Sequence, residues 1–148
     1  MNMNFTMRKA TDEDRSRVAA LRLRVMATDY ERHGLERERV QARFYQKFDP
    51  RFTSIIEVEG YFAGCVAVKP IEAGYEIEHF YIESEYQGKG LGSDVLRSII
   101  AEMNDSGEPL SLAIFKGSKA KPFYEKYGFK VVEEESFIER LRLTFGED

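Results

Sequence analysis

Two hydrophobic periods alternate along this chain, and the points where one gives way to the other mark out its elements. Residues 4–9 switch between apolar and polar in the manner of a short strand. Thr11 and Asp14 then set out a helix start that resembles a capping box. Beyond it Val18, Leu21, Val25 and Met26 recur at helical spacing, up to a stop at His33-Gly34. Residues 35–48 predict a second helix with Val40, Phe44 and Phe48 on one stripe, closed by Asp49-Pro50. Residues 52–58 and 61–68 are β-rich runs around Glu59-Gly60, a hairpin signal, and residues 75–82 predict a third strand in this region. Leu91, Val95, Leu96, Ile99, Ile100 and Met103 form an apolar helical face that ends at Ser106-Gly107. A strand over 110–115, a short helix over 118–127 and strands over 129–132 and 137–145 complete the pattern. The predicted fold class is α/β, a mixed sheet covered by helices.

Composition narrows the picture. At 148 residues, 43% hydrophobic and 32% charged, the chain reads as one globular domain over residues 1–148. No apolar run approaches the roughly eighteen residues of a membrane span, and residues 1–10 lack a signal-peptide core, so no membrane is expected and the cytoplasm is the expected location. The one cysteine, Cys65, has no partner for an internal disulfide and reads as a core residue. With only His33 and His79, no metal site is expected. A formal net charge of −4 argues against nucleic acid as the main partner.

The chemistry concentrates at Tyr86-Gln87-Gly88-Lys89-Gly90-Leu91-Gly92, between a strand and an amphipathic helix. A glycine-rich turn into a helix offers unshielded N–H groups and the helix dipole to an anion, with phosphate the obvious candidate. The P-loop pattern needs Ser or Thr after Gly-Lys, where Gly90 stands, and the dinucleotide fingerprint needs glycine where Ser93 stands. What fits is Gln-x-x-Gly-x-Gly, formed by Gln87, Gly90 and Gly92. In the strand before it Tyr75 and Ile77 share one parity while Phe80 and Ile82 share the other. Either both strand faces are covered, or a bulge near Glu78 and His79 resets the alternation. Further on, Ser118 to Phe129 reads S-K-A-K-P-F-Y-E-K-Y-G-F, a short helix stopped by Gly128.

These segments, in this order, resemble the GNAT superfamily of acyl-CoA-dependent N-acetyltransferases. Its signature is Gln/Arg-x-x-Gly-x-Gly/Ala after a bulged, splayed central strand, then Asn-x-x-Ala-x-x-aromatic-Tyr-Glu-Lys-x-Gly-Phe about thirty residues later. The resemblance implies a GNAT-like fold, a central, mostly antiparallel sheet with a splayed, bulged strand flanked by about four helices, and an N-acetyltransferase that uses acetyl-CoA as co-substrate and acetylates a primary amine of a small molecule or peptide by direct attack. Backbone amides of Gly88, Lys89, Gly90, Leu91 and Gly92 would cradle the CoA pyrophosphate, with Gln87 at the entrance. Phe80, Tyr81 and Ile82 would pair with the pantetheine arm, and Phe80 and Ile82 serve the core as well. Lys89 meets a phosphate or is a solvated loop lysine. Tyr124 matches the tyrosine that protonates the leaving thiolate, and Tyr127 falls on a variable position of the motif. Because most amines are protonated at neutral pH, a base or water relay is needed. Glu76 stands eleven residues before Gln87, where histone-type members carry their glutamate base, and Glu78 sits at the candidate bulge. Solvated sheet carboxylates remain the alternative for both, and His79 reads as a hydrogen-bonded structural residue. Gly117 stands where the family usually has asparagine. The competing expectation is a non-catalytic CoA-binding sensor or interaction module with the same fold. Exposed sheet edges leave a homodimer open.

Overall fold

The computed structural model describes residues 4–146; the first three and last two residues lie outside it. Thr11 donates its N–H to the Asp14 carboxylate at 2.8 Å, so the expected reciprocal cap forms, on a single 3-10 turn that feeds helix α1 (Arg15–Arg32). The helix ends at His33, with Gly34 in the left-handed conformation at φ 65°. Helix α2 (Arg37–Lys47) follows, and its last turn is fastened by Arg15, which donates to the carbonyls of Tyr45 at 2.7 Å and Phe48 at 3.1 Å. Strands β2 (Thr53–Val58) and β3 (Tyr61–Ile71) meet at Glu59-Gly60, whose φ angles of 53° and 83° are those of a hairpin turn matched to strand twist. The remaining elements are β1 (Thr6–Lys9), β4 (Gly74–Ile82), α3 (Leu91–Ser106), β5 (Leu110–Phe115), α4 (Lys121–Lys126), β6 (Lys130–Glu134) and β7 (Ile138–Leu143).

The seven strands form one sheet in the order β1-β2-β3-β4-β5-β7-β6, with β4 and β5 parallel and the pairs β1/β2, β2/β3, β5/β7 and β6/β7 antiparallel. This is the mixed sheet covered by helices that the pattern predicts, mostly antiparallel and with four helices as the resemblance implies. The chain forms two compact units, one of the residues up to Ala67 with His79–Val95, the other of Val68–Glu78 with the residues from Leu96 on. The first has a core of Ala10, Val18, Ala19, Leu21, Phe44, Phe48, Ile55, Cys65 and Tyr81. Buried residues of the second include Ile77, Ile99, Met103, Leu110, Leu112, Phe129 and Leu141.

Three departures from the sequence reading have local causes. Val25 is 37% exposed, because the inward stripe of α1 runs at intervals of four through Val18, Arg22, Met26 and Tyr30. Helix α4 begins at Lys121 and not at residue 118: the Ser118 hydroxyl accepts from the Ala120 N–H at 3.1 Å, and Pro122 takes an opening helical position. In β4 the buried residues are Gly74, Ile77, His79 and Tyr81, with Phe80 and Ile82 half-buried. From Ile77 to Tyr81 the buried parity does not reset. The bulges among the described ladders fall in β3, where Ala63 is the extra residue opposite Ile56 and Glu57, and in β6 at Val132.

Candidate active site

All the predicted cofactor residues belong to the first unit. Strand β4 ends in Tyr81 and Ile82, a 3-10 turn spans Ser84–Tyr86, and the glycine turn leads straight into α3, whose opening bond runs from the Asp94 N–H to the Gly90 carbonyl at 3.0 Å. Gln87 folds back to donate its side-chain amide to the Ile82 carbonyl at 2.8 Å, tying the turn to the strand end. Gly88 and Gly90 hold φ angles of 74° and 88°, which L side chains rarely adopt, and a Cβ at either would meet no atom within 4 Å. Glycine is thus demanded here by backbone shape and not by packing. Lys89 is exposed. The opening N–H groups of α3, from Leu91, Gly92 and Ser93, have no carbonyl one turn earlier in the helix to bond. Positive-φ glycines beside such a helix start suit a pyrophosphate, so the residues present fit CoA.

Behind Tyr81 lies a polar cluster that the motifs do not announce. Arg22 of α1 donates from Nη1 to the Tyr81 hydroxyl at 2.6 Å and from Nε to the Tyr30 hydroxyl at 2.7 Å. Tyr30 passes its own proton to Gln41 Oε1 at 2.8 Å, and Gln41 donates to the Ala19 carbonyl at 2.8 Å. The guanidinium stands 4.8 Å from the Phe44 ring centre, and His79 is packed edge-on to Phe44 at 5.0 Å and stacked with Tyr81 at 6.1 Å. Burial pushes the Tyr81 phenol far above its ordinary range against the pull of Arg22, so it stays a neutral donor. Burial opposes the charge on Arg22, yet the neighbouring phenol oxygens hold its pKa above the ordinary value. Nearby Cys65 is buried and its thiol is pushed up to about 12, as suits a core residue and not a nucleophile.

The predicted catalytic residues belong to the second unit. Glu76 and Glu78 project from the same face of β4, two residues apart. Glu78 is bound to Lys69 at 2.6 Å, and Glu76 lies 3.9 Å from Arg140, which also reaches Glu135 at 3.1 Å. Their strand pairs with β5 only over Tyr75–Ile77, although β5 continues to Phe115. Tyr124 is buried in α4, edge-on to Phe129 at 5.6 Å and to Phe123 at 5.2 Å. Tyr127 accepts from Arg97 at 3.3 Å. Gly117 has φ 85°, a conformation that asparagine tolerates better than most residues and glycine best, so the departure from the family pattern preserves the turn while dropping the side chain. Among the described residues no three His, Cys, Asp or Glu side chains gather as metal ligands, and no helix is long and apolar enough to cross a membrane.

The acetyltransferase (GNAT) domain family matches residues 24–144. The chain belongs to the GNAT family. It is an acyltransferase by that membership. Solved structures share its fold: PaiA N-acetyltransferase from Thermoplasma acidophilum, in complex with coenzyme A, has a TM-score of 0.75 at 18% identity over 96% of this chain and 99% of that one. An acetyltransferase from Thermus thermophilus gives 0.73 at 19% identity over 96% and 97%. N-acetylglutamate synthase from Neisseria gonorrhoeae, complexed with coenzyme A and N-acetyl-glutamate, gives 0.70 at 22% identity over 99% of this chain and 36% of that longer one. No curated protein sequence matches the chain. In this GNAT acyltransferase, sequence reasoning missed Arg22 and Gln41. One signal was there: Arg22 is a charge on the stripe of α1 that Val18 and Met26 mark as inward-facing.

Proposed function

We propose that the protein transfers an acetyl group from acetyl-CoA to a primary amine of a small molecule or peptide, by direct attack of the amine. The observation that carries this reading is the glycine turn, in which Gly88 and Gly90 combine positive φ with open space at the start of α3, in a chain whose family is acetyltransferase. Coenzyme A complexes among the structures of the same fold support the choice of co-substrate. When bound, acetyl-CoA supplies an activated thioester.

The chain's own groups then divide the work. Backbone N–H groups from Gly88 to Gly92 hold the pyrophosphate, and backbone groups of Phe80, Tyr81 and Ile82 pair with the pantetheine amides. Glu76 or Glu78, directly or through water, takes the proton from the attacking ammonium, because only the neutral amine has a lone pair to offer. The Tyr124 hydroxyl donates a proton to the departing sulfur. The ion pairs of Glu76 and Glu78 favour one other reading, a CoA-binding module that does not turn over. Thiol release from acetyl-CoA over a panel of polyamines, amino acids, aminoglycosides and short peptides tests both. Acetyl-dependent release with at least one amine is the expected result. CoA binding with no release from any amine would leave the sensor.

A further inference from the structure

Arg22 carries a half-buried positive charge whose two hydrogen-bond acceptors are phenols, not carboxylates. Taking a guanidinium out of water costs several kcal/mol, and neutral partners offset less of that than a counter-ion does. The Phe44, Tyr30 and Tyr81 rings, with centres 4.8, 5.8 and 6.0 Å from the guanidinium carbon, supply cation–π attraction but no counter-charge. Two of five N–H donors are spent on the phenols, and no bond from Nη2 is found among the described residues. The Tyr81 hydroxyl accepts from Arg22, and its own proton has no acceptor among the described residues. Tyr30, by contrast, both accepts and donates. Arg22 Nη2 and the Tyr81 O–H are therefore two donors, bonded into one cluster, with capacity for an oxyanion. Arg22 is only half-buried, so a ligand can reach it.

We propose that the acetyl acceptor carries a carboxylate, bound by Arg22 with help from the Tyr81 hydroxyl. This rests on the acetyltransferase reading and names its substrate class: an amino acid or a related amino carboxylate. A single positive charge calls for a single negative one, which favours a carboxylate over a doubly charged phosphate. The geometry of the fork suits it too, since a planar guanidinium presents its N–H groups at the spacing of two carboxylate oxygens. Tyr81 thereby joins the two ends of the reaction, through its backbone to the CoA arm and through its phenol to the acceptor.

The experiment is thiol release from acetyl-CoA with free amino acids and, in parallel, their α-amides, which keep the amine and lose the charge. The acids should exceed the amides in kcat/KM by about 10- to 100-fold, the range of a hydrogen bond to a charged group. Arg22→Gln should bring the acids down to the amides, mainly through KM. Arg22→Lys, which keeps the charge and loses the fork, should restore part of the preference and serves if the glutamine variant does not fold. Amides acetylated as well as acids by the wild type, or equal losses on both from a folded Arg22→Gln protein, would overturn the carboxylate anchor and leave the acetyltransferase intact. No thiol release with any amine would overturn the acetyltransferase reading, and the anchor with it.

Discussion

In the proposed mechanism the role of Tyr124 hangs on one oxygen. The ring is buried against Phe123 and Phe129, so Tyr124→Phe keeps its packing and removes only a donor. General acid catalysis of this kind is worth about 10²–10⁴-fold. The variant should therefore lose kcat on that scale with the KM for acetyl-CoA little changed, and Tyr127→Phe, which lacks only an acceptor for Arg97, should be mild. Steady-state rates for both with one accepted amine decide it, and near-wild-type turnover of Tyr124→Phe would make that tyrosine a packing residue. A second single-residue effect concerns stability. Asp14 accepts both terminal nitrogens of Arg8 at 2.9 and 3.0 Å and the Thr11 N–H, and the Arg8 hydrogen bond holds its carboxyl below the ordinary value. A depressed folded pKa means stability that is present above the unfolded pKa of about 3.9 and lost as pH falls through the folded value. Asp14→Asn should cost about 1–3 kcal/mol at pH 7 and flatten the loss of stability as pH falls below the unfolded carboxylate pKa. Denaturant midpoints across that range read it, and parallel pH profiles for wild type and variant would refute the assignment.

Among the elements, the turn before α3 makes a separable prediction because its glycines answer to two constraints at once. Gly34 and Gly90 both have positive φ and open space, so alanine at either should cost about 1–2 kcal/mol of backbone strain. Only Gly90→Ala should also weaken CoA binding, by about tenfold or more, since only that loop would lie against phosphate. Calorimetry that finds equal CoA affinity in the two folded variants would remove the phosphate turn. Gly64 is a different case: a Cβ there would fall 2.3 Å from the Tyr81 carbonyl oxygen and 3.1 Å from the Ile82 Cα, both backbone. Gly64→Ala should push that end of β4 and destabilise by about 1–3 kcal/mol. The elements themselves were legible in the sequence because period, glycine stops and turn pairs such as Glu59-Gly60 are local. The site was legible only where it is written as motif, at the glycine turn and around Tyr124. Arg22, Tyr30, Gln41 and Tyr81 meet through residues up to 59 apart in sequence, and no local period encodes a meeting of α1, α2 and β4.

For the molecule as a whole the question is whether two compact units unfold as one. Three elements run across the division: β3 passes it between Ala67 and Val68, β4 between Glu78 and His79, and α3 between Val95 and Leu96. A helix or strand cut within its length loses the cooperative part of its hydrogen bonding, so melting one unit strips part of each shared element from the other. The 148 residues should therefore behave as a single folding domain, with denaturation followed by far-UV circular dichroism and by tyrosine fluorescence tracing one coincident transition. The eight tyrosines, with no tryptophan to mask them, include Tyr30 and Tyr81 in the first unit and Tyr75, Tyr124 and Tyr127 in the second, so fluorescence reports on both. Coenzyme A at about a hundred times its Kd should raise the stability of that one transition by roughly 2.7 kcal/mol, because a ligand held only by the folded protein stabilises everything that must unfold with its site. Two resolved transitions, with CoA moving only the one that belongs to the glycine turn, would show instead that the shared strands and helix can part within their length.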